Sequence, residues 1–130
     1  TYDCAFEQVM RACASRDSTW ISEEFIDVYG ELHRRGKAHS VEVWIDGQLA
    51  GGTYGVHLGA AFFAESKFHR VTDMSKVALA SLAGKLLGGG FQLLEVQYLT
   101  PHLAQFGAIE VPDRTYAGIL ASALEGRGRW

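Results

Sequence analysis

Glu95 and Gln97 stand two residues apart in the segment Phe91 to Leu99, which is otherwise almost wholly apolar: Phe91, Leu93, Leu94, Val96, Tyr98 and Leu99. Residues two apart on a strand point to one face, so the spacing predicts a carboxylate beside an amide on a core strand. Left unpaired there, both would be costly to bury. The pair is therefore either a satisfied core network or a reactive one. Glu65 closes another predicted strand, where by itself it reads as a solvated strand-end charge. His39 and His102 are expected to be hydrogen-bonded structural groups; His57, in a predicted turn, and His69, beside Arg70, are expected to be solvated. No nucleophilic serine or cysteine stands out. Cys4 and Cys13 fall on different faces of a predicted helix, which argues against a disulfide between them. Free thiols fit a reducing cytoplasm, and no CxxC pair or close Cys/His cluster offers a zinc site.

Those side chains need a scaffold, and hydrophobic periodicity outlines one. From Asp3 to Ala14, Phe6, Val9, Met10 and Cys13 recur at helical spacing. Ser22 reads as an N-cap with Glu23 and Glu24 in the first turn; its helix carries Phe25, Ile26, Tyr29 and Leu32 and ends near Gly36. Val41, Val43 and Ile45 alternate with Ser40, Glu42 and Trp44, predicting a strand with one buried face. Asp46-Gly47 is a hairpin turn, so Gln48 to Val56 returns antiparallel. Its Gly51, Gly52 and Gly55 point to close approach by a ligand or another backbone. After a turn at His57 to Gly59, Ala60 to Glu65 forms a third strand. Thr72 or Asp73 caps a helix with a Met74, Val77, Ala78, Leu82 and Leu86 stripe, stopped by Gly88-Gly89-Gly90. Phe91 to Leu99 is a fourth strand and Pro101 opens a short helix. Ala108 to Val111 is a candidate fifth strand, and Asp113 caps a last helix to about Leu124.

At 130 residues the chain is expected to form one domain, residues 1–130, with no linker or repeat. No apolar run approaches the ~20 residues that span a bilayer, so no membrane partner is expected. With 12 Lys and Arg against 15 Asp and Glu, the chain lacks the basic balance that proteins gripping long nucleic acids usually carry. Local basic clusters occur only at His33-Arg34-Arg35-Gly36-Lys37 and Arg127-Gly128-Arg129. The element order, two helices, three antiparallel strands, helix, strand, helix, predicts an α+β fold, a mainly antiparallel sheet flanked by helices, like that of the acetyl-CoA N-acetyltransferases (GNAT fold). A CoA user of that fold needs a Gly-rich loop before the central helix to hold the pyrophosphate. Here Ser66-Lys67-Phe68-His69-Arg70-Val71 stands in that place, without glycine.

Three stretches in fixed order narrow the reading: Ala38-His39-Ser40-Val41-Glu42-Val43-Trp44, Gly51-Gly52-Thr53-Tyr54-Gly55 and Ala64-Glu65-Ser66-Lys67-Phe68. Leu94-Glu95-Val96-Gln97 follows one helix later and leads to His102 and Gly107-Ala108. Cys13-Ala14-Ser15, Thr19-Trp20-Ile21, Ser75-Lys76, Pro112 and Arg114 extend the pattern. From about Ala5 to Tyr116 the chain resembles the catalytic domain of the bacterial leucyl/phenylalanyl-tRNA–protein transferases. The resemblance implies transfer of a leucine- or phenylalanine-like residue from aminoacyl-tRNA to an α-amine, that of an N-terminal Arg or Lys, which tags a protein for degradation (the N-end rule). No cofactor or metal is implied.

By the same resemblance, Gln97 and Glu95 form a relay that orients and deprotonates the amine. Glu65 lies at the mouth of the aminoacyl pocket; Thr53, Phe62, Lys67, Leu79 and Leu86 lie near it; Trp20 stacks on the terminal adenosine. Three positions depart from the pattern. The family usually has aspartate in place of Glu95, and methionine-like residues in place of Thr53 and Lys67. The family's additional N-terminal domain is expected to be absent, a state that would also suit a small peptide or metabolite as acceptor. Two other classes remain: an acyl-CoA N-acyltransferase, and a catalytically silent binding module in which Glu95 and Gln97 are sealed in the core. Oligomeric state is left open.

Overall fold

A computed structural model describes residues 1–15 and 20–130. Helix α1 (Phe6–Ala14) buries Phe6, Val9, Met10, Ala12 and Cys13, the face its spacing predicts. Ser22 caps α2 (Glu23–Arg34), its hydroxyl accepting the Phe25 N–H at 3.3 Å. Of the predicted apolar face of α2 only Ile26 is fully buried, while Tyr29 and Leu32 pack partly buried against the same core. Strands β1 (Ala38–Ile45) and β2 (Gln48–Leu58) are joined through Asp46 and Gly47, whose φ angles of 49° and 76° suit a two-residue type I′ hairpin. Strand β3 (Ala61–His69) pairs antiparallel with β2. Helix α3 (Met74–Gly88) then crosses over to β4 (Leu93–Glu95), which runs parallel to β3. The sheet order is β1-β2-β3-β4. Helices α4 (Pro101–Ala104) and α5 (Asp113–Glu125) complete the described elements.

Two cores sandwich the sheet. One joins α1 and α2 to Ile21, Leu49, Tyr54 and Phe68; the other joins α3 to Val41, Phe62 and Leu103. Phe62 and Phe68 are an even number of residues apart, yet they enter opposite cores. The reason is a β-bulge: Tyr54 pairs with Ser66 and Gly55 with Ala64, so Glu65 is an extra residue that reverses the alternation.

Both faces of β1 are buried, not one. Ser40 and Glu42 are 0 % and 2 % exposed, and the Glu42 carboxylate is satisfied by hydrogen bonds from the Ser40 and Thr1 hydroxyls and the Cys4 and Ala5 N–H groups. It therefore serves the entry to α1, where no side chain caps the helix. The glycines of β2 give room to neighbouring backbone: a Cβ on Gly51 would sit 2.7 Å from that of Met74, and one on Gly55 2.2 Å from the Phe63 oxygen.

The third strand extends four residues beyond its expected end, so the connection to α3 is only residues 70–73, still without glycine. Asp73 occupies the N-cap position with φ 68° but pairs with Lys76 at 2.9 Å instead of capping. Asp113 is the first residue of α5, and Pro112 precedes it in the cap position. The fourth strand spans Leu93–Glu95 instead of Phe91 to Leu99, and Ala108 to Val111 is not a strand. After Glu95 the chain turns away from β3 at Gln97, whose φ is 75°, and apolar composition alone does not make a ladder.

Candidate active site

The shortness of β4 creates the site. Pairing between β3 and β4 covers Ala61–Leu93, Phe62–Leu94 and Phe63–Glu95 and then stops, while β3 continues along β2 to His69. Beyond Glu95 the chain turns away through Gln97, whose φ of 75° lies in the left-handed region. A cleft of about 240 Å³ opens where the strands part. Ala64, Glu65, Ser66 and Lys67 of β3 form one wall, and Val96, Gln97, Tyr98 and Thr100 the other. Thr53, Leu79 and Leu103 contribute from the α3 side and Trp20 from the segment before α2.

Glu95 and Gln97 are neighbours, though not through strand alternation. The Glu95 carboxylate accepts a hydrogen bond from the Gln97 backbone N–H, closing the bend. Gln97 is exposed in the cleft and Glu95 half-buried behind it. The sealed-core arrangement, under which the pair would be mere scaffold, is absent. Glu65 sits in the middle of β3 as the bulge residue, not at a strand end. Bulges re-aim side chains beside functional sites, and this one brings Glu65 to the Tyr29 hydroxyl of α2, which donates a hydrogen bond to its carboxylate. Burial, and then the nearby Glu95 charge, push the Glu65 carboxyl above its usual range, against the hydrogen bond from Tyr29. Burial, and then Glu95, likewise raise the Tyr116 phenol. Behind the cleft-lining Glu65 thus lie the Tyr29 phenol and the Glu95 carboxylate, and Glu95 in turn lies near the Tyr116 phenol.

At the other end Thr53 and Lys67 face each other across the β2–β3 ladder. The Thr53 hydroxyl donates to the Ser66 oxygen at 2.8 Å and is turned into the sheet. Trp20 is half-exposed, its ring edge-on to Phe25 with centroids 5.2 Å apart, so it is a cleft wall rather than core. Leu79 is buried and reaches the cleft. Phe62 and Leu86 do not: both are sealed in the α3 core, and Phe62 is stacked on Trp130 at 5.5 Å. Thr19 lies outside the described residues.

His39 is buried and hydrogen-bonded as expected, through Nδ1 to Asp3 at 2.8 Å and through Nε2 to His57 Nδ1 at 3.1 Å. His57 is therefore a half-buried residue of β2 rather than a solvated turn. His102 is depressed by desolvation and by Lys67 and Lys76. Among the described residues no group of three or more His, Cys, Asp or Glu side chains is placed to hold a metal ion. A larger concavity of about 380 Å³ at the start of α1 is bordered by Asp3, Glu7, Arg11 and His33 and contains none of the candidate residues. The smaller cleft gathers Trp20, Thr53, Glu65, Lys67, Leu79 and Gln97 of the candidate residues. Its unforeseen members are Tyr98, Thr100 and Leu103; Tyr29, unforeseen too, supports it from behind through Glu65, and a hydroxyl on the otherwise apolar stripe of α2 is its signal in the sequence.

Residues 1–121 match the model of a family described as leucyl/phenylalanyl-tRNA protein transferase. The chain is similar to the leucyl/phenylalanyl-tRNA–protein transferase of Herpetosiphon aurantiacus, with 52% identity over 124 residues, 95% of this chain and 65% of the relative. It is also similar to the proteins of that name from Nitrobacter winogradskyi (53%; 98% and 58% of the two chains) and Gloeobacter violaceus (55%; 95% and 64%). The chain spans less than two thirds of the length of these curated relatives. Similar solved structures include a ribosomal-protein-alanine N-acetyltransferase from Brucella melitensis, with TM-score 0.57 and 16% identity over 82% of this chain and 84% of that one. Another is an N-acetyltransferase from Thermoplasma acidophilum in complex with coenzyme A, with TM-score 0.52, 14% identity and 84% of each chain covered. At these identities the likeness shows the fold, that of the N-acetyltransferases.

Proposed function

Because the chain belongs to the leucyl/phenylalanyl-tRNA protein transferase family, we propose that it transfers a leucine- or phenylalanine-like residue from aminoacyl-tRNA to the α-amine of an acceptor protein beginning with Arg or Lys. Residues 1–130 act as one catalytic domain in the cytoplasm, and the new N-terminal residue marks the acceptor for degradation. The observation that carries the reading is the cleft at the parting of β3 and β4, where Gln97 and Glu65 meet a pocket walled by Leu79 and Leu103.

The donor ester is already activated, so the catalyst chiefly aligns two reactants and manages one proton. The acceptor α-amine has an ordinary pKa of about 7.7–8.0, and freeing it at neutral pH costs roughly 1 kcal/mol. Its nitrogen attacks the ester carbonyl and forms the new C–N bond; the bond to the terminal ribose oxygen breaks, and that oxygen leaves with the proton the amine gives up. The Gln97 side-chain oxygen accepts an N–H of the amine and orients its lone pair. Glu95 holds the Gln97 backbone and, with Glu65, supplies negative charge toward the ammonium. Leu79 and Leu103 take the aminoacyl side chain, with Thr53 and Lys67 at the rim, and Trp20 offers a ring face to the terminal adenine.

The test is a transfer assay with labelled leucyl- and phenylalanyl-tRNA and a peptide beginning with arginine or lysine, run beside Gln97→Ala. Transfer that the variant loses supports the reading. A folded chain that transfers neither residue to either peptide overturns it.

A further inference from the structure

The two basic clusters of the sequence, at residues 33–37 and 127–129, meet in the fold. Lys37 leads into β1, and its carbonyl oxygen accepts the His57 N–H of β2 at 2.9 Å. The His57 ring stands edge-on to Phe91, with centroids 5.6 Å apart. Over Phe91 runs the segment that follows α5: a Cβ on Gly128 would lie 2.7 Å from that ring. Main-chain hydrogen bonds fix the segment there, from Gly128 N–H to the Gly59 oxygen (3.0 Å) and from Arg129 N–H to the Gly89 oxygen (2.9 Å). Lys37, Arg127 and Arg129, all exposed, are thereby gathered at one end of the sheet.

Little acidity offsets them. Glu31 is taken up by Arg34 and Arg35, each at 2.7 Å, and Asp3 by His39 at 2.8 Å. Among the described residues no carboxylate pairs with the side chains of Lys37, Arg127 or Arg129. Such a surface attracts a polyanion. The acidic balance of the whole chain does not cancel it, because charges farther than about 8 Å are largely screened at physiological salt.

Resting on the transferase reading above, we infer that this face binds the sugar-phosphate backbone of the donor tRNA, behind the 3′-terminal ester held in the cleft. Strand β3 measures the separation. It begins at Ala61, next to the Ala60 whose N–H bonds to the Ala123 oxygen near the end of α5, and reaches Glu65 four residues on. That is about 13 Å of strand, or about four phosphates of a stacked nucleic-acid strand. The strand that leaves the cleft therefore meets the cations within a few nucleotides. An acidic protein would feel the same charge, but the tRNA is already held by one end, which makes the remaining contacts intramolecular and effective even when few.

The experiment neutralises the cations and varies the donor. Lys37→Gln, Arg127→Gln and Arg129→Gln are combined in one variant, which leaves the main-chain hydrogen bonds of these residues in place. Leucyl-tRNA is compared with leucine esterified to the 3′ end of the trinucleotide CCA, both with a peptide beginning with arginine. Binding of uncharged, fluorescently labelled tRNA is followed by anisotropy between about 50 and 200 mM salt. The triple variant is expected to raise the KM for leucyl-tRNA and the Kd for uncharged tRNA about 10-fold or more, with kcat unchanged. The slope of log Kd against log salt should fall by roughly two to three. Transfer from the trinucleotide ester should equal that of the parent. Parent-like KM and Kd for tRNA in the variant overturn the RNA-binding face and leave the transferase reading standing. A loss as large with the trinucleotide as with tRNA also overturns the face, since the effect then lies in the fold or the cleft. Charge-dependent tRNA binding by a parent chain that transfers from neither donor supports the face and overturns the transferase reading. A parent chain that neither binds tRNA nor transfers overturns both.

Discussion

The carboxylate of Glu95 accepts the backbone N–H of Gln97, and that hydrogen bond ties the last residue of β4 to the left-handed bend on which the cleft's amide is carried. The bend ends the β3–β4 ladder and presents Gln97 in one stroke. A non-glycine residue in this region costs about 1–2 kcal/mol, and backbone strain of this kind is found at functional sites.

Gln97 therefore separates stability from activity. Gln97→Gly relieves the left-handed strain and should leave stability unchanged or raise it by up to ~1 kcal/mol. It should also lower kcat/KM about 100-fold or more, because the orienting amide is gone. Urea unfolding beside the transfer assay reads both. Gln97→Gly that keeps full transfer would remove the amide from the mechanism.

Glu95→Gln keeps an acceptor for the Gln97 N–H but removes the charge, whereas Glu95→Asp keeps the charge on a shorter stem. Activity should fall about 10-fold or more in the first and be largely retained in the second, when measured as kcat/KM. Equal loss in both would mean that the reach of the carboxylate matters more than its charge.

Glu65 should carry a stability cost at neutral pH. Its folded pKa is raised by burial and by Glu95, so the unfolded chain ionises first as pH rises. The cost begins as pH passes the ordinary carboxyl pKa and is complete above the raised folded value. Glu65→Gln should accordingly raise Tm at pH 7 and change it little at pH 3.5, while transfer falls. Tyr29→Phe removes the hydrogen bond that opposes the shift, so the acid limb of kcat/KM should move to higher pH.

The Asp3–His39–His57 cluster works in the opposite direction, favouring the fold at neutral pH. Burial, followed by His39 and Lys37, depresses His57, so acid protonates the unfolded chain first and stability falls as pH drops through about 6.5. Asp3 reinforces this at lower pH. Burial raises its pKa, but the hydrogen bonds from His39 and the Ser40 N–H outweigh that and hold it low, so its contribution is lost as the carboxyl is protonated. His57→Gln should flatten the fall in unfolding free energy between pH 7 and 5.5.

The entry to α1 hangs on Glu42. Glu42→Ala orphans the Ala5 N–H and the Ser40 hydroxyl in a buried place, at about 1–3 kcal/mol for each group left unsatisfied. Urea unfolding of Glu42→Ala against Glu42→Gln measures this. The amide variant, which keeps an acceptor oxygen, should lose less.

By itself the sequence determined what local patterns can encode. The α1 stripe, the Ser22 cap, the Asp46-Gly47 hairpin and the close approach at Gly51 and Gly55 all follow from side-chain spacing and backbone sterics within a few residues. The ordered motifs also identified the family. Local patterns do not contain the neighbours that complete a ladder. An apolar run such as Phe91 to Leu99 looks like a strand until one knows that pairing ends at Glu95, and Glu65 looks like a strand end until its mispairing with Tyr54 and Gly55 makes it a bulge. Those two irregularities, a ladder that stops and a residue too many, are properties of strand pairing. They open the cleft and bring Glu65 to Tyr29, and only the tertiary structure decides them.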